Sequence, residues 1–313
     1  MKLTVACSPH IRGNFRTRRI MLDVMLALLP AMIVGIWLHG LRSLLVTAVA
    51  IVSCLGSEWL YSVVTKKRNT IVDGSACVTG MLLAMTLPAT VPYWLVIVGS
   101  AFAIMFVKCL CGGLGQNVFN PALSARGFMM LIAPAYMVRF EGLDGVTAAT
   151  PLHHMVMPAL PEETVLDMFL GNCPGSIGEV SALALLVGGA YLVYRKVISV
   201  RIPAAYLGTV AVLTLIFART GDPITWMLYS LFSGGVMLGA IFMATDYATS
   251  PVTRVGQIVY GIGCGALTVF FRYNGLFPEG VTYAILLMNA FVWLIDRYTA
   301  PRRFGVKKGG KSA

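Results

Sequence analysis

Ten apolar segments, at about 20–39, 43–64, 74–88, 92–108, 121–137, 179–194, 202–218, 225–245, 254–272 and 280–296, are separated by short polar or basic stretches. Runs of this length and apolar content are candidates for membrane-spanning helices. The pattern therefore predicts an all-α integral membrane protein of about ten transmembrane helices. The third and eighth segments are short or interrupted, and each ends in a turn rich in Thr and Pro.

Composition agrees with lipid as the solvent. Of the 313 residues, 58% are hydrophobic and 12% charged, and mean hydropathy is +0.80; a soluble domain carries about 25% charged residues. The net charge of +11 is not read as a nucleic-acid footprint, because the basic residues cluster at the ends of apolar segments. With the N-terminus inside, 19 of the 24 Lys and Arg fall on the inner side, four outside (Arg42, Arg139, Arg219 and Arg272) and one, Arg126, within a span. That is the positive-inside pattern, and it places both termini in the cytoplasm. Residues 1–19 read as an uncleaved basic arm, 20–137 as a first five-helix unit, 138–178 as an extracytoplasmic loop, 179–296 as a second five-helix unit and 297–313 as a basic tail.

The two five-helix units resemble each other. Shifted by 159 residues, GMLLAMTLPATVP (80–92) falls on GAIFMATDYATSP (239–251) with five identities, and Asn117-x-x-x-Pro121 recurs as Asn274-x-x-x-Pro278. Units with an odd number of spans enter the membrane from opposite sides, so this is an inverted repeat. Such repeats place their working site near the midplane, where broken helices meet; two Pro-terminated helices alike by chance are the plainer alternative. On the inner side, CGGLGQNVFNPALSARGFM (111–129) puts glycines and amides at membrane depth, where they must be buried in protein or line a cavity. No strand precedes it, which excludes a dinucleotide-binding loop. Asn117 and Asn120 suit a neutral heteroaromatic ring or a partly dehydrated cation, and with Thr245 and Asp246 they are expected to face one central site.

Charges in or near the spans (Asp23, Glu58, Asp73, Arg126, Asp246 and Asp296) are functional candidates, with ion pairing or exposure at a membrane end as the alternative. Cys109-x-Cys111 reads as helix packing ahead of a shared iron–sulfur ligand. No zinc spacing or disulfide framework is evident.

Within the outer loop lies LDGVTAATPLHH (143–154), small, polar and hydroxyl-rich. Small neighbours and Pro151 suit an accessible, modifiable hydroxyl. His153 and His154 read as solvated or as neighbours of a bound cofactor rather than as metal or haem ligands. Together CGGLGQNVFNPALSARGF, DGVTAAT and FMATDYATSP, in that order, resemble the membrane flavoprotein family that comprises the RnfD component of Rnf complexes and the NqrB component of the sodium-pumping NADH:quinone reductase. The likeness runs over nearly the whole chain, whose length matches the shorter Rnf-type members. It implies FMN joined through its phosphate to Thr150, with Asp144, Gly145, Thr147 and Ala149 as recognition residues, although Ala148 stands where that family usually has Gly. It further implies ten helices in two inverted repeats, a plan similar to urea transporters, and a second, non-covalent flavin (riboflavin). The implied partners are the other subunits of an Rnf complex, including a second covalent-flavin subunit, and a flavin transferase for maturation. The implied activity is ferredoxin:NAD⁺ electron transfer coupled to Na⁺ or H⁺ movement in the bacterial cytoplasmic membrane, with the flavin loop on the outer face. A urea-transporter-like channel or transporter for a small polar solute is the competing reading; DGVTAAT is the feature that such a channel has no use for.

The charge count has a direct test. A cysteine introduced at Thr147 should react with an impermeant maleimide added to intact cells, and one at Lys66 should not; labelling at Lys66 would overturn the assignment of sides.

Overall fold

The structure is a computed structural model, and it describes residues 17–66, 70–141, 147–148, 152, 163–219, 222–274 and 280–301, with Glu141, Thr147 and Ala148 as backbone only. It is a helical bundle. Its elements are α1 (Thr17–Thr65), a 3₁₀ turn (Ile71–Asp73), α2 (Ser75–Met85), α3 (Tyr93–Ala101) running on as a π-helix (Phe102–Cys109), α4 (Pro121–Ile132), α5 (Pro134–Met137), α6 (Val165–Leu170), α7 (Ala182–Tyr194), α8 (Arg201–Ile216), α9 (Pro223–Phe232), α10 (Val236–Leu238) running on as a second π-helix (Gly239–Met243), α11 (Arg254–Tyr273) and α12 (Val281–Thr299). The described strands are β1 (Phe140–Glu141) and β2 (Thr147–Ala148), which pair antiparallel with Phe140 opposite Ala148 and Glu141 opposite Thr147.

Each of the ten apolar segments is helical over most of its length. The first two join in α1, whose 49 residues turn at Gly40, where φ is 71°; glycine tolerates that left-handed conformation at no steric cost. Among the described residues, Thr17–Thr65 and Arg254–Tyr273 are long and apolar enough to cross a bilayer, and α9 with Val236–Met243 reaches that length only as a pair bent by 64°. At about 1.5 Å per residue, the 11-residue α2 covers roughly half the hydrocarbon thickness. The fifth segment holds a break that its pattern does not signal beyond Pro134: Ala133 (φ −141°, ψ 61°) separates α4 from α5. A multi-pass membrane protein follows from these apolar helices.

Small residues set how closely the helices approach. A Cβ on Gly80 would lie 2.8 Å from Ile51 Cα, one on Gly188 2.1 Å from Ala27 O, and one on Gly261 2.7 Å from Ala205 Cβ. These contacts press α2 and α7 on α1 and α11 on α8, the close packing that small residues permit where lipid gives helices no hydrophobic drive to associate. Three of the six in-membrane charges are in ion pairs among the described residues: Asp23 with Arg195 (3.2 Å), Glu58 with Lys108 (2.8 Å) and Arg126 with Glu179 (2.9 Å). Asp296 accepts the backbone N–H of Val252 (3.1 Å) and of Thr253 (3.4 Å).

The backbone contact at Gly80 predicts that Gly80→Val lowers the stability of the detergent-solubilised protein by about 2 kcal/mol, as overpacking does, seen as a lower melting temperature. Gly56→Ala is the control, since a Cβ at that position would meet nothing within 4 Å; it should be neutral or mildly stabilising, Ala being the better helix former by about 1 kcal/mol.

Candidate functional site

Both π-helices end at the same cavity. A π turn adds a residue to the helix and re-aims the chain beyond it, and such turns gather at functional sites. The first, Phe102–Cys109, carries Lys108; the second, Gly239–Met243, leads into the turn at Thr245 and Asp246. Lys108, Thr245 and Asp246, together with Asn117, Asn120 and Ser75, line a cavity of about 90 Å³ whose walls are otherwise largely apolar, among them Val24, Leu82 and Phe242. Apolar walls with a few convergent polar groups are the usual form of a small-molecule site.

Asn120 is fixed from three directions. It is the N-cap of α4, its Oδ1 accepting from Ala122 N (3.0 Å) and Leu123 N (3.3 Å), with Pro121 at the first helical position. Its Nδ2 donates to Met243 O (3.2 Å), a carbonyl at the end of the second π-helix. Asn289 on α12, with its amide oriented to satisfy both ends, accepts from Asn120 N (3.2 Å) and donates to Thr249 O (3.1 Å). Asn120 is thus a cap and a tie between the two halves as well as a lining residue. Asn117, 5% exposed, donates from Nδ2 to Phe119 O (3.1 Å), which holds the loop in shape. Thr245 spends its hydroxyl on Ile241 O (2.6 Å), and Asp246 accepts from Thr249 Oγ1 (3.2 Å). The other charged group on the lining is Lys108, 3% exposed, whose Nζ donates to Glu58 Oε1 (2.8 Å) and Ser75 Oγ (2.7 Å).

A second, smaller cavity of about 20 Å³ is lined by Phe140, just before the hydroxyl-rich loop, by Leu152 within it, and by Ser176, Glu179, Ser233 and Gly234. Leu152 is buried, and a Cβ on Gly234 would lie 3.1 Å from its Cδ2, so the chain just after Pro151 is held against the break between α9 and α10.

Asn117, Asn120, Thr245 and Asp246 therefore stand around one cavity. Asp144, Gly145, Ala149 and Thr150 lie outside the described residues, as do His153 and His154, and Thr147 is seen only as backbone in β2. Sequence pattern did not single out Lys108, Ser75 or Asn289. Lys108 is a lone cation in the apolar run IMFVKCL, a signal that its place among the inner-side basic residues obscures; the pattern holds no comparable signal for Ser75 or Asn289.

A family model described as "NQR2, RnfD, RnfE family" matches residues 4–305. The D subunit of the Na⁺-translocating ferredoxin:NAD⁺ oxidoreductase complex of Acetobacterium woodii is 48% identical, over 100% of this chain and 98% of its own length. The D subunit of the proton-translocating ferredoxin:NAD⁺ oxidoreductase complex of Clostridium ljungdahlii is 41% identical, over 97% of each chain. The D subunit of the ion-translocating oxidoreductase complex of Stutzerimonas stutzeri is 40% identical, over 94% of this chain and 93% of its own.

The side-chain bonds of Asn120 separate its roles. Asn120→Ser, whose hydroxyl can cap but is too short to reach Met243 O, should keep the N-cap and lose that tie, whereas Asn120→Ala should lose both and cost a further ~1 kcal/mol, the usual worth of a cap. Thermal denaturation of the two variants side by side measures the difference; equal losses would mean that the cap contributes nothing.

Proposed function

The chain belongs to the NQR2, RnfD, RnfE family, and on that premise we propose that it is the membrane flavoprotein subunit of an Rnf-type complex that couples electron transfer between ferredoxin and NAD⁺ to Na⁺ or H⁺ translocation. It is a subunit of an ion-translocating oxidoreductase and works only within that assembly. The observation that carries this reading is DGVTAAT in a chain alignable end to end with the D subunits of such complexes. In it, FMN is bound through a phosphoester to Thr150, with Asp144, Gly145, Thr147 and Ala149 around it. A flavin, once bound, supplies one- and two-electron transfer; the chain supplies position and electrostatics.

Support comes from both sides of the threonine. Ala148 pairs with Phe140, and Leu152 is buried beside Gly234, so Thr150 falls in sequence between two anchored points, a placement suited to a tethered cofactor. The chemistry of the inner cavity's lining suits a second, non-covalent flavin such as riboflavin: Asn117, Asp246, Ser75 and Lys108 would offer hydrogen bonds to a polar ring edge, while Val24, Leu82 and Phe242 would take its apolar face.

The protein sits in the bacterial cytoplasmic membrane with both termini inside and the loop of 138–178 on the outer face. The hydrogen bonds agree with this arrangement. Arg42 donates to Thr90 O (2.8 Å) and Thr90 Oγ1 to Arg139 O (2.5 Å), joining residues that the charge count puts outside; Asp23 with Arg195 and Glu58 with Lys108 join residues that it puts inside. The remaining subunits, a second covalent-flavin subunit among them, and a flavin transferase complete the partners.

Intact-mass analysis of the chain made in a host with the flavin transferase should show an FMN adduct, and a denatured band near 33.7 kDa should fluoresce. Thr150→Ala should remove both signals while the chain stays inserted, and Thr150→Ser should keep part of the label. A native chain without the adduct would sink the covalent site and favour a solute channel.

A further inference from the structure

Lys108 sits one residue from the end of its π-helix, in a stretch where a flexible side chain could reach the inner membrane surface and keep its charge in water. It does the opposite. It turns into the protein, is 3% exposed, and bonds Glu58 and Ser75. Burying an ion pair costs desolvation that apolar packing of the same volume would avoid, so stability alone does not call for a charge here.

The pair is also asymmetric about the cavity. Lys108 and Ser75 are on the lining and Glu58 is not. Glu58 Oε1 accepts from both Lys108 Nζ and Thr70 Oγ1 (2.5 Å), while Oε2 is buried with no partner among the described residues. An ammonium has three N–H donors; those to Glu58 and Ser75 account for two, and the third has no partner among the described residues. The cavity therefore meets the positive end of a buried ion pair with a donor to spare. Its other lining charge, Asp246, is an acceptor supplied by the second half of the chain.

We infer that Lys108 orients the ring in the inner cavity and favours its reduced form, the ammonium meeting a carbonyl-bearing edge and Asp246 taking a ring N–H. This rests on the reading of that cavity as a flavin site. A ring that gains two electrons and one proton carries one negative charge at neutral pH, and the lysine balances that charge while keeping its own proton; no bond to the protein forms or breaks. Glu58 moderates the effect by standing behind the lysine, away from the ring.

The test uses riboflavin itself, titrated by equilibrium dialysis into the detergent-purified full chain, with and without dithionite as reductant. A Thr150→Ala background removes any tethered flavin. Lys108→Met should reduce the preference for reduced over oxidised riboflavin by about tenfold or more, as removing a unit charge within several ångströms in a poorly screened site does. Glu58→Gln, which leaves the ammonium uncompensated, should raise the same ratio. Each single variant leaves one buried charge unpaired and can fail to fold, so the double variant Lys108→Met/Glu58→Gln, which buries no charge at this pair, carries the decision. A tenfold loss of preference in it supports the inference, and a ratio equal to the parent's overturns it. If the parent binds neither form, the cavity is not a flavin site and the inference falls with that reading; binding that persists with no change of ratio defeats the inference alone.

Discussion

Backbone groups that end inside a bilayer have no water to bond, and a helix that stops at depth leaves up to four carbonyls to be satisfied by protein. Three such endings organise this fold. At the end of α2, Met85 O and Leu87 O accept the backbone N–H groups of Gly178 and Ile177 (2.9 and 3.0 Å). At the end of α9, Ser230 O and Ser233 O are met by the buried guanidinium of Arg272 (2.7 and 2.8 Å). After the second π-helix, Met243 O accepts from Asn120. Each partner comes from a distant element, so the endings that interrupt the helices also fasten the bundle together.

Where helices stop, side chains cannot fill the space that a continuing helix would occupy, and the inner cavity lies at such a place. Its polar groups come from the ends of the two π-helices and from the loop before α4. The paired charges nearby stay in place because each is held by more than its counter-ion: Lys108 by Ser75, Glu58 by Thr70, and Asp23 by the hydroxyl of Tyr191 (3.1 Å) as well as by Arg195. A buried ion pair resists losing one member, because the charge left behind would be unpaired.

Much of this was legible in the chain. Apolar run length located the helices, and the Thr- and Pro-rich ends of segments 74–88 and 225–245 marked where regular helix stops. Matching those two segments drew attention to Thr245 and Asp246, and the cost of amides at membrane depth did the same for Asn117 and Asn120; the four line one cavity. The features that stayed hidden depend on pairing between remote positions. Glu58 meets Lys108 across 50 residues and Arg126 meets Glu179 across 53, and no local pattern announces either. The π-helices leave no periodicity that a helical pattern lacks. The break at Ala133 is concealed by the same apolar composition that identifies its segment. Thr150 stands out through a sequence motif alone and lies outside the described residues.

The ties at Asn120 bear on the order in which the protein is made. Asn120 leaves the ribosome early, yet its side chain bonds a carbonyl 123 residues later in the chain, and its backbone N–H is received by Asn289 in the last helix. Until α12 is inserted, the loop at 117–120 lacks part of its support in lipid and the cavity lacks one side of its frame. Helix α12 therefore acts as a closing piece: a chain truncated or stalled before it would hold most of its helices and still lack one side of the cavity's frame.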